Sequence, residues 1–186
     1  MEQDNKTLYT ILVFSENLAG LLNQITAVFT RRQVNIESLN VSASSIKGIH
    51  KYTITCYSDE ETIDKITRQI EKKIDVIQAH YFTDNEIFIQ ECGLIKIATQ
   101  VMLDDKEVSR QIRIHDANIV EVNPTYSIVT KCGLTEEIES LYQALKDCNC
   151  ILQYVRSGRI AITKSCIEHI SEYINEREQE YLKSKQ

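Results

Sequence analysis

Apolar residues along this chain alternate between two spacings, and each change of spacing marks an element. Residues 8–14 form a short apolar run that predicts a strand. Over residues 19–32 the spacing changes to Leu21, Ile25 and Val28 with Phe29 beside them, which predicts a helix with one apolar face. Residues 35–41 read as a second strand and 42–48 as a polar loop. Tyr52, Ile54 and Cys56 then alternate with Lys51, Thr53 and Thr55, so 49–57 is a third strand. A helix over 59–73 carries Ile63, Ile66 and Ile70 on one face, and 75–82 closes as a fourth strand. The order is βαββαβ, that of a ferredoxin-like unit.

The same order is expected again after a polar break at 83–86. Strands are predicted over 94–102, 119–122, 126–132 and 151–155, with helices over 104–115 and 135–147. Pro124, the single proline, places a tight turn at 123–125. Two tandem units of an α+β fold follow, with domains over 7–83 and 84–164. A charged helical tail over 167–182, within a final segment 165–186, carries Ile167, Ile170, Tyr173 and Ile174 on one side.

The candidate chemistry lies where the first strand gives way to the first helix, at Asn17-Leu18-Ala19-Gly20-Leu21-Leu22. Asn17 is expected to cap the helix, and Gly20 lets a ligand approach the backbone. No Asp or Glu lies between Leu18 and Phe29, so the positive helix end is open to a free carboxylate. Asn35 and Ile36 begin the next strand, where they would face such a ligand. A capped turn alone would explain the first segment; the second segment and the βαββαβ frame favour a small amino-acid sensor. The second unit lacks this feature. Its corresponding helix is expected to start at Leu103-Asp104-Asp105-Lys106-Glu107, whose carboxylates would repel an anion.

Composition narrows the alternatives. The 186 residues carry a net charge of −6, which disfavours a general nucleic-acid binder. No apolar run is long enough to span a membrane and the N-terminus is polar, so a cytoplasmic location is expected. Six cysteines at irregular spacing read as reduced thiols, and Cys148-Asn149-Cys150 is a weak metal signal without a second pair. Four histidines (50, 80, 115 and 169) are scattered, and no nucleophile elbow, P-loop or dinucleotide fingerprint is present. No catalytic residue and no metal site are expected. Arg156-Ser157-Gly158-Arg159 reads as a solvated basic turn.

The segments 17–22, Phe29-Thr30-Arg31-Arg32, Asn35-Ile36-Glu37-Ser38-Leu39 and Ile74-Asp75-Val76-Ile77 closely resemble the N-terminal ACT domain of acetolactate synthase (acetohydroxyacid synthase) small subunits. The resemblance continues through 91–97, 119–126 and 154–158. It implies an N-terminal ACT domain, a C-terminal ACT-like domain and a homodimer without chemistry of its own. Such a protein activates a catalytic large subunit, which carries the thiamine diphosphate, magnesium and FAD, in branched-chain amino acid synthesis. It also implies feedback by valine or another branched-chain amino acid. The effector carboxylate would rest on N–H groups around Ala19, Gly20, Leu21 and Leu22. Asn17 would orient the turn, and Asn35 and Ile36 of the neighbouring subunit would meet the amino group. The polar loop 42–48 and the long charged tail depart from the family pattern. The alternative is a stand-alone ACT sensor that controls a different enzyme.

Overall fold

The computed structural model describes residues 6–165, so the expected tail helix lies outside the described residues. Within them the chain forms two compact units, the first ending at Phe88 and taking back residues from Ala161 onward, the second spanning Ile89–Ile160.

The first unit runs β1 (Thr7–Glu16), α1 (Leu21–Arg31), β2 (Ser38–Ala43), β3 (Ile49–Ser58), α2 (Glu60–Glu71) and β4 (Val76–Phe82). Its antiparallel sheet has the order β2-β3-β1-β4, so β1 is central, as the βαββαβ reading requires. Tyr9, Ile11 and Val13 of β1 alternate toward the helices. There they join Tyr52, Ile54 and Cys56 of β3 and the apolar stripes of α1 and α2 in one core. Leu21, Ile25, Val28 and Phe29 are the buried face of α1, and Ile63, Ile66, Thr67 and Ile70 that of α2. Asp59 caps α2, its carboxylate accepting the Thr62 N–H at 2.8 Å.

The second unit contains β5 (Ile87–Ala98, beginning in the first unit), α3 (Thr99–Asp104), α4 (Lys106–Ile114), β6 (Asn118–Val122), β7 (Tyr126–Gly133), α5 (Thr135–Asp147), β8 (Ile151–Arg156) and β9 (Ile160–Thr163, which returns to the first unit). The sheet order β6-β7-β5-β8 repeats that of the first sheet, and β9 pairs with β5. Ile95, Ile97, Val129, Val108, Ile112, Leu141 and Leu145 form its core. A Cβ on Gly93 would lie 2.6 Å from Ile138 Cγ2, so only glycine lets α5 pack this close to β5.

Two expectations are corrected here, the extent of the strand after residue 94 and the number of strands after α5, while the polar break at 83–86 is given its form. The strand predicted over 94–102 ends at Ala98, and Val101 and Met102 belong to α3. The residues 83–86 form a tight turn in which the Thr83 N–H and hydroxyl both donate to the Glu86 carboxylate at 2.8 Å. A further strand, β9, follows β8.

Candidate functional site

The junction between β1 and α1 is an irregular turn tied down by its backbone. The Glu16 N–H donates to the Asp75 carbonyl at 2.9 Å and the Asn17 N–H to the Gly48 carbonyl at 2.9 Å. The Leu18 N–H turns back to the Glu16 carbonyl at 3.0 Å. Gly20 then takes φ 88° and ψ −12°, a left-handed conformation that side chains disfavour, and α1 starts at Leu21. No side chain caps α1 and its first turn holds no acidic residue. The Leu21 N–H reaches the Leu18 carbonyl only at 3.4 Å and the Gln24 N–H donates to the Gly20 carbonyl at 3.2 Å, so the N–H groups between them have no side-chain cap and this end carries a partial positive charge. Nothing lies within 4 Å of where a Gly20 Cβ would stand. Leu18 and Leu22 are exposed at 47% and 39%, while Leu21 is buried in the core. The turn therefore offers donors for a carboxylate beside apolar side chains.

Two expectations change. The cap position belongs to Gly20, not Asn17, and α1 begins two residues later than predicted. A capping side chain reaches N–H groups two or three residues ahead, and Asn17 lies too far from the first turn. Asn35 and Ile36 lie before β2, which starts at Ser38. Asn35 is exposed and Ile36 packs partly against the core. They follow the C-terminal end of α1, whereas Gly20 precedes its N-terminal end. Eleven residues of helix separate these ends by about 16 Å. One chain therefore does not bring Asn17, Ala19, Gly20, Leu21 and Leu22 together with Asn35 and Ile36. The loop carbonyls of Gly48 and Asp75 were not singled out in the sequence. Their part in the turn depends on strand register, which carries no local signal.

The corresponding junction of the second unit is built differently. The chain passes from β5 into α3 at Thr99, which is buried. The Thr99 hydroxyl donates to the Asn123 carbonyl at 2.7 Å and lies 2.9 Å from Ser127 Oγ. The acidic start expected for this helix belongs to the next one, α4, where Asp105 accepts the Glu107 N–H at 2.8 Å. Toward the other end of β5, the segment 156–159 is not simply a solvated basic turn. Arg159 is buried with its Nε 3.6 Å from Glu91 Oε1, and Arg156 Nη1 lies 3.6 Å from Glu91 Oε2. The Thr135 hydroxyl donates to Glu91 Oε1 at 2.7 Å.

The two most buried thiols, Cys56 and Cys150, are not activated. Burial pushes the Cys56 thiol up to about 12 with help from Glu37, and burial raises Cys150 to about 11. The Cys148 and Cys150 thiols donate to the Ala144 and Leu145 carbonyls within α5 and its end. His80 pairs with Gln78, and His115 with Ser140 and the Gln111 carbonyl. His169 lies outside the described residues. Among the described residues no three His, Cys, Asp or Glu side chains converge as metal ligands, and no helix is long and apolar enough to cross a membrane.

Comparison with known proteins bears on the family and the fold. Residues 11–78 match the family described as the AHAS small subunit-like ACT domain, and residues 90–165 match the family described as the small subunit of acetolactate synthase. The Bacillus subtilis acetolactate synthase small subunit is 30% identical over 160 residues, covering 86% of this chain and 91% of that one. The Haemophilus influenzae acetolactate synthase small subunit is 28% identical, covering 82% and 93%. The crystal structure of the Thermotoga maritima acetolactate synthase small subunit superposes with a TM-score of 0.77 at 22% identity. That alignment covers 86% of this chain and 99% of the other, and shows the same fold.

Proposed function

The chain belongs to the acetolactate synthase small-subunit family, and on that premise we propose that it is the regulatory subunit that activates a separate catalytic large subunit. It carries no reaction of its own, and thiamine diphosphate, magnesium and FAD reside on the large subunit. A branched-chain amino acid, with valine the first to test, binds at the β1–α1 turn and relays feedback. Its carboxylate rests on the N–H groups near Gly20 and Leu21, and its side chain lies against Leu18 and Leu22. Asn35 and Ile36 of a second copy close the pocket, which couples effector binding to pairing of two chains.

The observation that carries this reading is the uncapped, acid-free start of α1 behind a left-handed Gly20 with open space beside it. The separation of Gly20 from Asn35 along α1 supports the demand for a second copy. The test is acetolactate formation from pyruvate by the cognate large subunit, with and without this chain, then with added valine. Activation that valine reverses is expected. Activation without any branched-chain effect would remove the effector site and keep the subunit role. No activation at all would overturn the subunit role and leave a stand-alone sensor.

A further inference from the structure

Cys92 on β5 and Cys132 on β7 are directly opposite each other in the strand register. The Cys92 N–H makes no bond to β7, because it donates to Ser157 Oγ at 3.0 Å, and the Cys92 carbonyl accepts the Ser157 N–H at 2.9 Å. Both backbone groups thus point away from β7. The two cysteines form a non-hydrogen-bonded pair, the arrangement that brings facing side chains closest. Gly93 faces α5, so Cys92 and Cys132 point to the sheet face away from the helices. The Cys92 thiol also meets Thr130 Oγ1 at 3.4 Å on that face. Cys132 is exposed and Cys92 half-buried, and both are free thiols. A hydrogen bond between the two thiols, with some burial, raises Cys132 above the ordinary thiol value. The Cα separation of such a strand pair falls within the range a disulfide spans.

We propose that Cys92 and Cys132 form a reversible dithiol modification site that a small-molecule disulfide such as oxidised glutathione converts to an intramolecular cross-strand disulfide. The exposed Cys132 thiolate attacks one sulfur of oxidised glutathione, forming a mixed disulfide and releasing one glutathione thiolate. The Cys92 thiolate then attacks the Cys132 sulfur and releases the second glutathione thiolate. The two protons lost by the cysteines end on the two glutathione thiols. The protein dithiol is oxidised and the glutathione disulfide is reduced, so electrons balance. Ser157, whose hydroxyl and N–H hold the Cys92 backbone, keeps the pair in register.

The test is incubation of the full chain in glutathione redox buffers, followed by non-reducing peptide mapping. A linked peptide joining Cys92 to Cys132, reversed by reduced glutathione, is expected. The oxidised protein should melt about 5 °C higher, because the bond closes a long loop in the unfolded chain. In Cys92→Ser the mixed glutathione disulfide should persist on Cys132, since the resolving thiol is gone. Because the map is read on the unmodified chain, misfolding of a variant would not leave the matter open. A Cys132 that stops at the mixed disulfide beside a free Cys92 overturns the proposal, as does linkage of either to Cys148, Cys150 or Cys166.

Discussion

The two units share an element order and a sheet order, yet they treat polar groups at the same topological place in opposite ways. Where β1 gives way to α1, the chain leaves helix N–H groups uncapped and opens space beside Gly20. Where β5 gives way to α3, the Thr99 hydroxyl is consumed by Asn123 and Ser127 in a buried contact. The difference extends inward. Every buried polar residue described in the first unit is a hydroxyl, whereas the second unit also buries Glu91 and Arg159. A fold can therefore be duplicated while only one copy keeps donors available for a ligand, and the other spends its polar groups on its own structure.

The largest effect should come from the second unit's buried charge. Glu91→Ala removes a 5% exposed carboxylate that faces Arg159 and Arg156 and accepts the Thr135 hydroxyl. Removing one member of a buried ion pair leaves the other charge desolvated, and a loss of about 3 kcal/mol is expected. Urea unfolding followed by circular dichroism measures it. A loss under about 1 kcal/mol would mean that the arginines resolvate freely and that the contrast in buried charge has no energetic content.

Thr99→Val comes next. Valine keeps the shape but deprives the Asn123 carbonyl and Ser127 Oγ of their partner, at an expected cost of about 2 kcal/mol. Thermal melting reads the loss, and an unchanged melting temperature would show that this junction is not held by its hydroxyl.

Gly20→Asp tests the other side of the comparison. It places a carboxylate where the proposed effector carboxylate would rest, at a φ of 88° that Asp tolerates better than most residues. Valine inhibition should weaken at least tenfold, about 1.4 kcal/mol, while activation of the large subunit is kept. Equal loss of activation and inhibition in a folded dimer would break the division between sensing and activation.

The contrast between the two junctions was partly visible in the chain. Alternation in β3 and the four-residue spacing of α1, α2 and α5 report local geometry, so these elements were predicted within a few residues. The Gly20 turn was visible because glycine and a missing acid are local signals too. Other features depended on partners remote in sequence. Thr99 starts a helix by bonding Asn123 and Ser127, so an apolar pattern running through Val101 and Met102 read as strand. Arg159 read as solvated because Glu91 lies far away along the chain. The distance from Gly20 to Asn35 needed only the length of α1, but whether both serve one ligand depends on a second copy, which no single-chain pattern encodes.

The smallest effect separates the two helices of the first unit by pH. Hydrogen bonds from the Thr62 N–H, and then from its hydroxyl, hold the Asp59 carboxyl below its ordinary value. A carboxyl whose folded value is depressed stabilises the fold above the ordinary carboxylate range, and this contribution is lost as pH falls through the folded value. The group is exposed and screened, so the contribution to global stability is slight, but the local amide reports it directly. In an acid titration by NMR, the Thr62 amide should shift with a midpoint below that of an ordinary aspartate, and Asp59→Ala should abolish the step. The Leu22 amide at the start of α1 has no carboxylate cap and should not follow the same curve. A Thr62 midpoint at the ordinary value would mean that Asp59 leaves the helix end in solution, and the ligand-ready character of α1 would then no longer distinguish it from its neighbour.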